Sequence, residues 1–309
     1  MVSHRFPSLA SIRAFEAAAR LCSFAKAAQE LDTSAASVSY HVRQLEEQIG
    51  VALFRRYPHK VELTEPGELV AREAVNAFAA LRASFLRAAD MDQSRLSLTT
   101  LPTLGTSWLT PRLGRFRAKH PDIVLELDLS PEAQDLGAGR FDAAIRNGHG
   151  DWPGLRSIKL LPVVFMPMCI PALKTAAARL TDTRRPLQVP LLGRPDWWAR
   201  WYRACGSGEP PPPDRFGTNL STEYLDMTAA LAGHGITIGS PILFASELES
   251  GKLVPAHDFV ASDGRAFWLT FPTVRQNSRK ISRFREWLCD EAARACSAAK
   301  DFIDCAVAS

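Results

Sequence analysis

A chain of 309 residues is too long for one ordinary core and fits two or three domains. Hydrophobic residues at 46% and charged residues at 23% fit a globular chain and exclude disorder as the default state. The net charge of +4 permits nucleic-acid binding, but in the first 65 residues eight Lys and Arg face seven Asp and Glu, so any DNA-binding case must rest on placement. No stretch of about 18 apolar residues exists to span a membrane, and the segment from Met1 to Ala19 carries Arg5, Arg13 and Glu16 where an export signal has an apolar run. A cytoplasmic protein with no membrane partner is expected. The six cysteines, Cys22, Cys169, Cys205, Cys289, Cys296 and Cys305, form no CxxC pair and no zinc spacing, so free thiols are expected and no metal site. Cys205, in a Gly-rich region, is the one candidate for a redox-active thiol.

From the start of the chain, Leu9, Ile12, Phe15, Ala18 and Ala19 mark one face of a helix that Ser8 can cap. Ser23 precedes a short alanine-rich helix, Phe24–Leu31, whose small side chains admit a close neighbour. A tight turn at Asp32-Thr33 leads to Ser34, the cap of a third helix from about Ala35 to Gln48, stopped by Gly50. Val38, Val42, Leu45 and Ile49 make its buried stripe, which leaves Ser37, Tyr40, His41 and Gln44 outward. Two short helices joined by a turn, the second showing short polar residues near its start, form the pattern of a helix-turn-helix. Leu53–Arg56 and Lys60–Thr64 flank Tyr57-Pro58-His59 and read as a hairpin with a basic tip, the wing.

After Pro66-Gly67, residues Glu68 to Asp90 hold neither Gly nor Pro and carry Leu69, Val70, Val75, Phe78, Leu81, Phe85 and Leu86, which reads as one long helix. Its apolar stripe needs a partner, either a second copy of itself or its own wing domain. Leu96–Thr100 begins a new pattern: a strand, a turn at Pro102, then a helix with Trp108, Leu109, Leu113 and Phe116 that ends near His120-Pro121. Ile123–Ser130, Ala143–Ile145 and Ile236–Gly239 read as further strands, and strands alternating with helices point to a layered α/β fold.

Several ordered segments agree with one family. Ala14-Phe15-Glu16-Ala17-Ala18-Ala19, Ser23 to Leu31, Ser37-Val38-Ser39 followed by Arg43-Gln44-Leu45-Glu46, Leu53-Phe54-Arg55-Arg56 and Leu63-Thr64-Glu65-Pro66-Gly67 together resemble the DNA-binding region of LysR-type regulators. The resemblance continues through Trp108–Leu113, Phe116-Arg117, Asp142–Gly148, Gly150–Leu155, Cys169–Leu173, Ala229–Gly235 and Phe284–Leu288, on the branch of glycine-cleavage and β-lactamase-induction activators. It implies an α/β multi-domain chain: a winged helix-turn-helix at 1–65 (helix-turn-helix about 24–43, wing about 53–64), a linker and dimerisation helix at 66–92, and an effector domain at 95–300. That last domain would be two-lobed and periplasmic-binding-protein-like, with lobe I at about 95–163 and 268–300 and lobe II at about 164–267.

Carried over residue by residue, the resemblance implies DNA contacts from Ser34, Ser37, Ser39, Tyr40 and Arg43 on the recognition helix and from Arg55, Arg56 and Lys60 in the wing. Ala35 stands where members often carry Gln and Tyr40 where many carry Arg, so base readout is expected to shift toward phosphate contacts and DNA shape. The partners implied are operator double-stranded DNA, a second copy in a homodimer that can pair into a homotetramer, a small-molecule effector and RNA polymerase. The expected effector residues are Thr100 and Thr103 after the first strand, Ser130 at the end of the second, Arg146 and Asn147 at the end of the third, and Ser221 before a helix from about Tyr224 to Ala232. Hydroxyls with one Arg suit a small carboxylate or amino-acid-like metabolite, although Arg146 can equally pair with Asp142 or Asp151. Trp197, Trp198 and Trp201 read as a shared apolar face, and Pro210–Pro213 as a stiff surface loop.

An enzyme is the rival class, but no Gly-x-Ser-x-Gly elbow, His-Glu-x-x-His or phosphate-binding loop is present, and no cofactor is expected. A non-enzymatic solute-binding protein fits the second half of the chain yet has no use for the first 65 residues. A DNA binder without a ligand is the remaining alternative.

Overall fold

The structure, a computed structural model, describes residues 6–57, 60–89, 93–182, 187–208, 220 and 222–309. The chain divides into two compact units, Met1–Phe85 and Leu86–Ser309.

The first unit opens with three helices, α1 (Leu9–Leu21), α2 (Phe24–Glu30) and α3 (Ala35–Ile49). Each is started by a serine whose hydroxyl accepts a backbone N–H left unpaired in the first turn: Ser8 from Ser11 at 3.1 Å, Ser23 from Lys26 at 3.3 Å, Ser34 from Ser37 at 3.1 Å. Gly50 ends α3 in the left-handed conformation (φ 76°). Phe15, Ala18, Ala27, Val38, Val42, Leu45, Leu53 and Phe54 fill the core between the helices and the wing. The Phe54 ring meets Phe15 and Phe24 edge-on at 5.6 and 5.3 Å, so the wing is fastened to α1 and α2.

The wing is an antiparallel hairpin of β1 (Phe54–Tyr57) and β2 (Lys60–Leu63), paired from Phe54↔Leu63 to Tyr57↔Lys60. The long helix α4 begins at Glu65 and runs to Ala89, three residues ahead of the start expected from its Pro and Gly. Thr64 Oγ1 accepts the Gly67 N–H at 3.0 Å and donates to Ala52 O at 2.7 Å, which caps α4 and ties it to the wing. Pro66 is harmless there, because first-turn N–H groups have no helical acceptor. Gly67 is required, since a Cβ at that position would lie 2.1 Å from Leu53 O.

The second unit is built on a nine-stranded sheet. β3 (Arg95–Thr100) pairs in parallel with both β4 (Val124–Leu129) and β5 (Ala143–Gly148). Between β3 and β4 a helical run replaces the expected turn at Pro102; it is π-type at Leu104–Leu109, 3-10 at Thr110–Arg112 and α-helical in α5 (Leu113–Lys119). Pro111 has no N–H for the turn before it, and the hydrogen-bond pattern changes at that point.

Two long strands join the halves of the sheet: β6 (Leu155–Cys169), followed by α6 (Lys174–Ala177), β7 (Leu191–Leu192), α7 (Pro195–Ala204), α8 (Glu223–Leu231), β8 (Ile236–Gly239), α9 (Ala245–Glu249) and β9 (Val254–Pro255), and then β10 (Ala261–Pro272). β10 pairs antiparallel with β5 and β6, while β6 continues into antiparallel pairing with β8 and β9. Each half therefore shares its central strands with the other. The chain closes with α10 (Arg279–Ala298), α11 (Lys300–Asp304) and β11 (Val307–Ala308). β11 pairs with β10, and Phe302, Ile303 and Ala306 pack on the core, so this unit extends past residue 300.

Trp108, Phe116, Phe284 and Trp287 fill one half of the core, and Phe165, Trp197, Trp198 and Trp201 the other. Buried Asp142 accepts from Ser97 N at 2.9 Å and forms ion pairs with Arg275 and with Lys280, the latter at 3.0 Å, which pins α10 to β3 and β5. Among the described residues no helix is long and apolar enough to cross a membrane.

Candidate DNA-contact surface and effector cleft

On α3 the apolar stripe of Val38, Val42 and Leu45 is fully buried, which fixes the opposite face outward. Ser34, Tyr40 and Arg43 are exposed there, with Ser37 and Ser39 half-buried between them. The Ser34 hydroxyl is engaged as a helix cap, and the Tyr40 hydroxyl accepts a bond from Gln44 Nε2 at 2.8 Å. Arg55 is exposed on β1. Arg56 and Lys60 belong to the wing strands, but their side chains lie outside the described residues. Glu46, passed over in the sequence, accepts from Leu53 N at 2.8 Å and from Phe54 N at 3.0 Å. That carboxylate holds α3 against the first wing strand, so the helix face and the hairpin form one surface. The available signal was a charged residue at the edge of an otherwise apolar stripe.

In the second unit the expected effector residues separate into two groups. β3 pairs with β5 as Thr99↔Ala144 and Thr100↔Ile145, so Thr99 and Arg146 share one face of the sheet while Thr100 and Asn147 share the other. Arg146 Nη2 donates to Thr99 Oγ1 at 2.9 Å and Nη1 to Ser130 O at 2.6 Å. Two of its three nitrogens are thus committed to the protein, and its proton affinity is lowered mainly by burial. Neither Asp142 nor Asp151 is its partner, since Asp142 is held by Arg275 and Lys280. The Ser130 hydroxyl lies 3.0 Å from Glu132 Oε2 and accepts from Gln134 Nε2 at 3.1 Å.

Thr100 and Thr103 stand where the helical run leaves β3. Thr103 Oγ1 accepts from Tyr224 N at 3.2 Å, linking this corner to the first turn of α8 in the other half of the sheet. Glu223, beside Tyr224, accepts from Ser240 N at 2.8 Å through Oε1, which brings the end of β8 to the same corner. The buried atoms Thr100 Oγ1, Asn147 Oδ1 and Ser240 Oγ have no hydrogen-bond partner among the described residues. Burial pushes the Glu223 carboxyl up to about 7 and the Asp226 carboxyl up to about 6. Ser221 lies outside the described residues. Glu223 and Ser240 were missed in the sequence: an acid in a first helical turn reads as an ordinary complement to the helix dipole, and a serine after a strand reads as a turn.

All six cysteines are free, and Cys205 sits at the end of α7 with Sγ 3.1 Å from Ser207 Oγ. Trp198 and Trp201 are buried and donate to Leu192 O and Phe259 O, at 2.9 and 3.0 Å, so they serve the core. Among the described residues no group of three His, Cys, Asp or Glu side chains comes together to hold a metal ion.

Comparison with known proteins gives this geometry its context. Residues 9–68 match the family described as bacterial regulatory helix-turn-helix protein, lysR family, and residues 89–293 match the LysR substrate binding domain. The glycine cleavage system transcriptional activator of Escherichia coli K12 is 32% identical over 296 residues, spanning 94% of this chain and 96% of the relative. The HTH-type transcriptional activator AmpR of Pseudomonas aeruginosa is 35% identical over 300 residues, 95% and 98% of the two chains. The crystallised AmpR effector domain of that organism aligns with a TM-score of 0.55 at 29% identity over 66% of this chain and 98% of its own. CrgA, a LysR-type regulator from Neisseria meningitidis, shares the fold over 93% of this chain and 99% of its own, with a TM-score of 0.53 at 23% identity. With both family models matched in order and relatives aligned over nearly the full length, the chain belongs to the lysR family of helix-turn-helix transcriptional regulators and is not an enzyme.

Proposed function

We propose that this regulator grips a two-fold operator as a homodimer and is switched by a small carboxylate or amino-acid-like metabolite bound at the Thr103 corner. For the DNA side, the support is the exposed face of α3 carrying Tyr40 and Arg43 beside Arg55 of the wing, with Ser34, Ser37, Ser39, Arg56 and Lys60 as further contacts. Helix α4 is the linker, and its exposed Leu81 and Phe85, one turn apart on the same face, supply an apolar contact for a second copy. The division into a winged domain at 1–65, a linker at 66–92 and two lobes beyond 95 belongs to the same reading. So do pairing into tetramers, contact with RNA polymerase and a cytoplasmic location, which follows from DNA as the partner.

The single observation that carries the effector site is the hydrogen bond from Tyr224 N to Thr103 Oγ1, which joins the two halves of the sheet beside the unpartnered hydroxyls of Thr100 and Ser240. A polar ligand inserted there pairs buried groups that otherwise cost about 1–3 kcal/mol each. It also favours one arrangement of the lobes by population shift. Arg146 acts behind the corner by holding Thr99 and Ser130 in place. Melting the purified protein against a panel of carboxylates and amino acids tests this reading. A true effector at 100 times its Kd stabilises by ~2.7 kcal/mol. The increment, measured for each protein against its own unliganded melt because Thr103→Val also frees the Tyr224 N–H, should fall by more than half in Thr103→Val. An effector that stabilises both proteins equally contradicts the site.

A further inference from the structure

Apart from the Thr103 corner, the second unit gathers three arginines around one carboxylate. Glu291 on α10 has a side chain only 1% exposed and receives Arg115 through Nε at 2.8 Å and Nη2 at 2.5 Å. Arg294 reaches Glu291 Oε1 through Nη2 at 2.6 Å, and Arg112 Nε stands 3.8 Å from Oε2. Arg112 also lies over the Trp108 ring and donates from Nη1 to Trp108 O at 2.7 Å. One buried carboxylate therefore faces three guanidinium groups that all stay charged. Counting the exposed Glu249 nearby, positive charge still exceeds negative by three to two. The proton affinity of Arg112 is lowered mainly by burial, with Glu291 and Glu249 opposing that and Arg115 and Arg294 adding to it.

These side chains flank an open pocket of about 410 Å³, lined on its other sides by Ile242, Ala245, Ala295 and Ala298. Arg112 Nη2, Arg115 Nη1 and Arg294 Nη1 have no protein acceptor among the described residues. We propose that this pocket is a second ligand site, taking a small phosphate monoester: its phosphate meets the arginine forks and its organic part lies along the alanine wall. Guanidinium forks match phosphate oxygens in pairs, and a dianion relieves the mutual repulsion of the three cations. The volume exceeds what inorganic phosphate fills, and the small side chains leave that space open. Residues 242–249 follow β8, whereas Arg112, Arg115 and α10 pack against the β3 half. A bound phosphate monoester therefore ties the two halves together, and thermal stabilisation is its expected signature. The site does not depend on the proposed effector corner, which is lined by different residues.

The test is calorimetric titration and thermal melting of the full-length protein with inorganic phosphate and glycerol phosphate, against chloride at matched ionic strength. Two variants accompany it. Arg294→Gln removes one fork, and Ala298→Phe fills the pocket while leaving every ion pair in place. The expected result is millimolar or tighter binding, stronger for glycerol phosphate, with a rise in Tm absent in chloride. Both variants should weaken binding at least fivefold, with Ala298→Phe retaining the wild-type melt in chloride. Phosphate behaving as chloride overturns the proposal. So does binding that persists in Ala298→Phe, which places the anion on the exposed arginines of the N-terminal unit or elsewhere.

Discussion

At the scale of single residues, local geometry sets the sign of an effect that sequence propensity gets wrong. Replacing glycine by alanine inside a helix ordinarily stabilises by up to about 1 kcal/mol. At Gly67 the new Cβ would lie 2.1 Å from Leu53 O, forcing a shift between α4 and the wing. Gly67→Ala should cost roughly 1–3 kcal/mol in urea unfolding. Gly114→Ala in α5, where nothing lies within 4 Å, should be neutral or stabilising. Equal effects at both positions would refute the close approach.

Glu223 carries a second prediction at this scale. Its folded pKa of about 7 stands above its ordinary 4.5, so the folded state holds a proton that the unfolded state releases. The stability linked to that proton is fully present below pH ~4.5 and is lost as the pH rises through 7. Asp226, raised to about 6, works in the same direction. Melts between pH 5 and pH 8 should show Glu223→Gln losing less stability than wild type over this window. An unchanged pH slope would contradict the burial argument.

At the scale of elements, the helices of the first unit were legible because each carries its own punctuation. Serine caps at Ser8, Ser23 and Ser34 and the stop at Gly50 place the ends of α1, α2 and α3 within two or three residues. The start of α4 was misplaced because Pro66 and Gly67 read as breakers, while Thr64 makes them the first turn of the helix. The long strands β6 and β10 were not legible as strands. From Leu160 onward β6 is largely buried on both faces, as β10 is from Ala266, so these stretches lack alternation, and Pro162 and Pro167 within β6 argue against a strand; Pro162 sits beside a register shift opposite Ala266. The effector corner was only partly legible. Thr100 and Thr103 follow from the end of the first strand, but Glu223 and Ser240 arrive there through the Tyr224–Thr103 bond, which joins positions more than a hundred residues apart in sequence.

At the scale of the whole molecule, the proposed homodimer would match a two-fold operator. Leu81 and Phe85 are 46% and 69% exposed on α4, and the proposed dimer would bury them. Phe85→Glu should shift sedimentation toward monomer at micromolar concentration and weaken operator binding tenfold or more, about 1.4 kcal/mol. An unchanged dimer would move the interface elsewhere. Coupling between effector and operator is expected at ~1–3 kcal/mol, and by linkage the operator must alter effector affinity by the same factor.

The central claim is sequence-specific DNA binding through α3 and the wing. Its most direct test is a salt-dependent mobility shift on the DNA flanking the protein's own gene, with an unrelated fragment as competitor. The account predicts retention that survives competitor, and a binding constant that weakens in Arg43→Ala and in Arg55→Ala, with the salt slope falling by ~1 for each arginine–phosphate pair removed. Equal retention of both fragments with equal salt dependence, or no retention even at low salt, would contradict it.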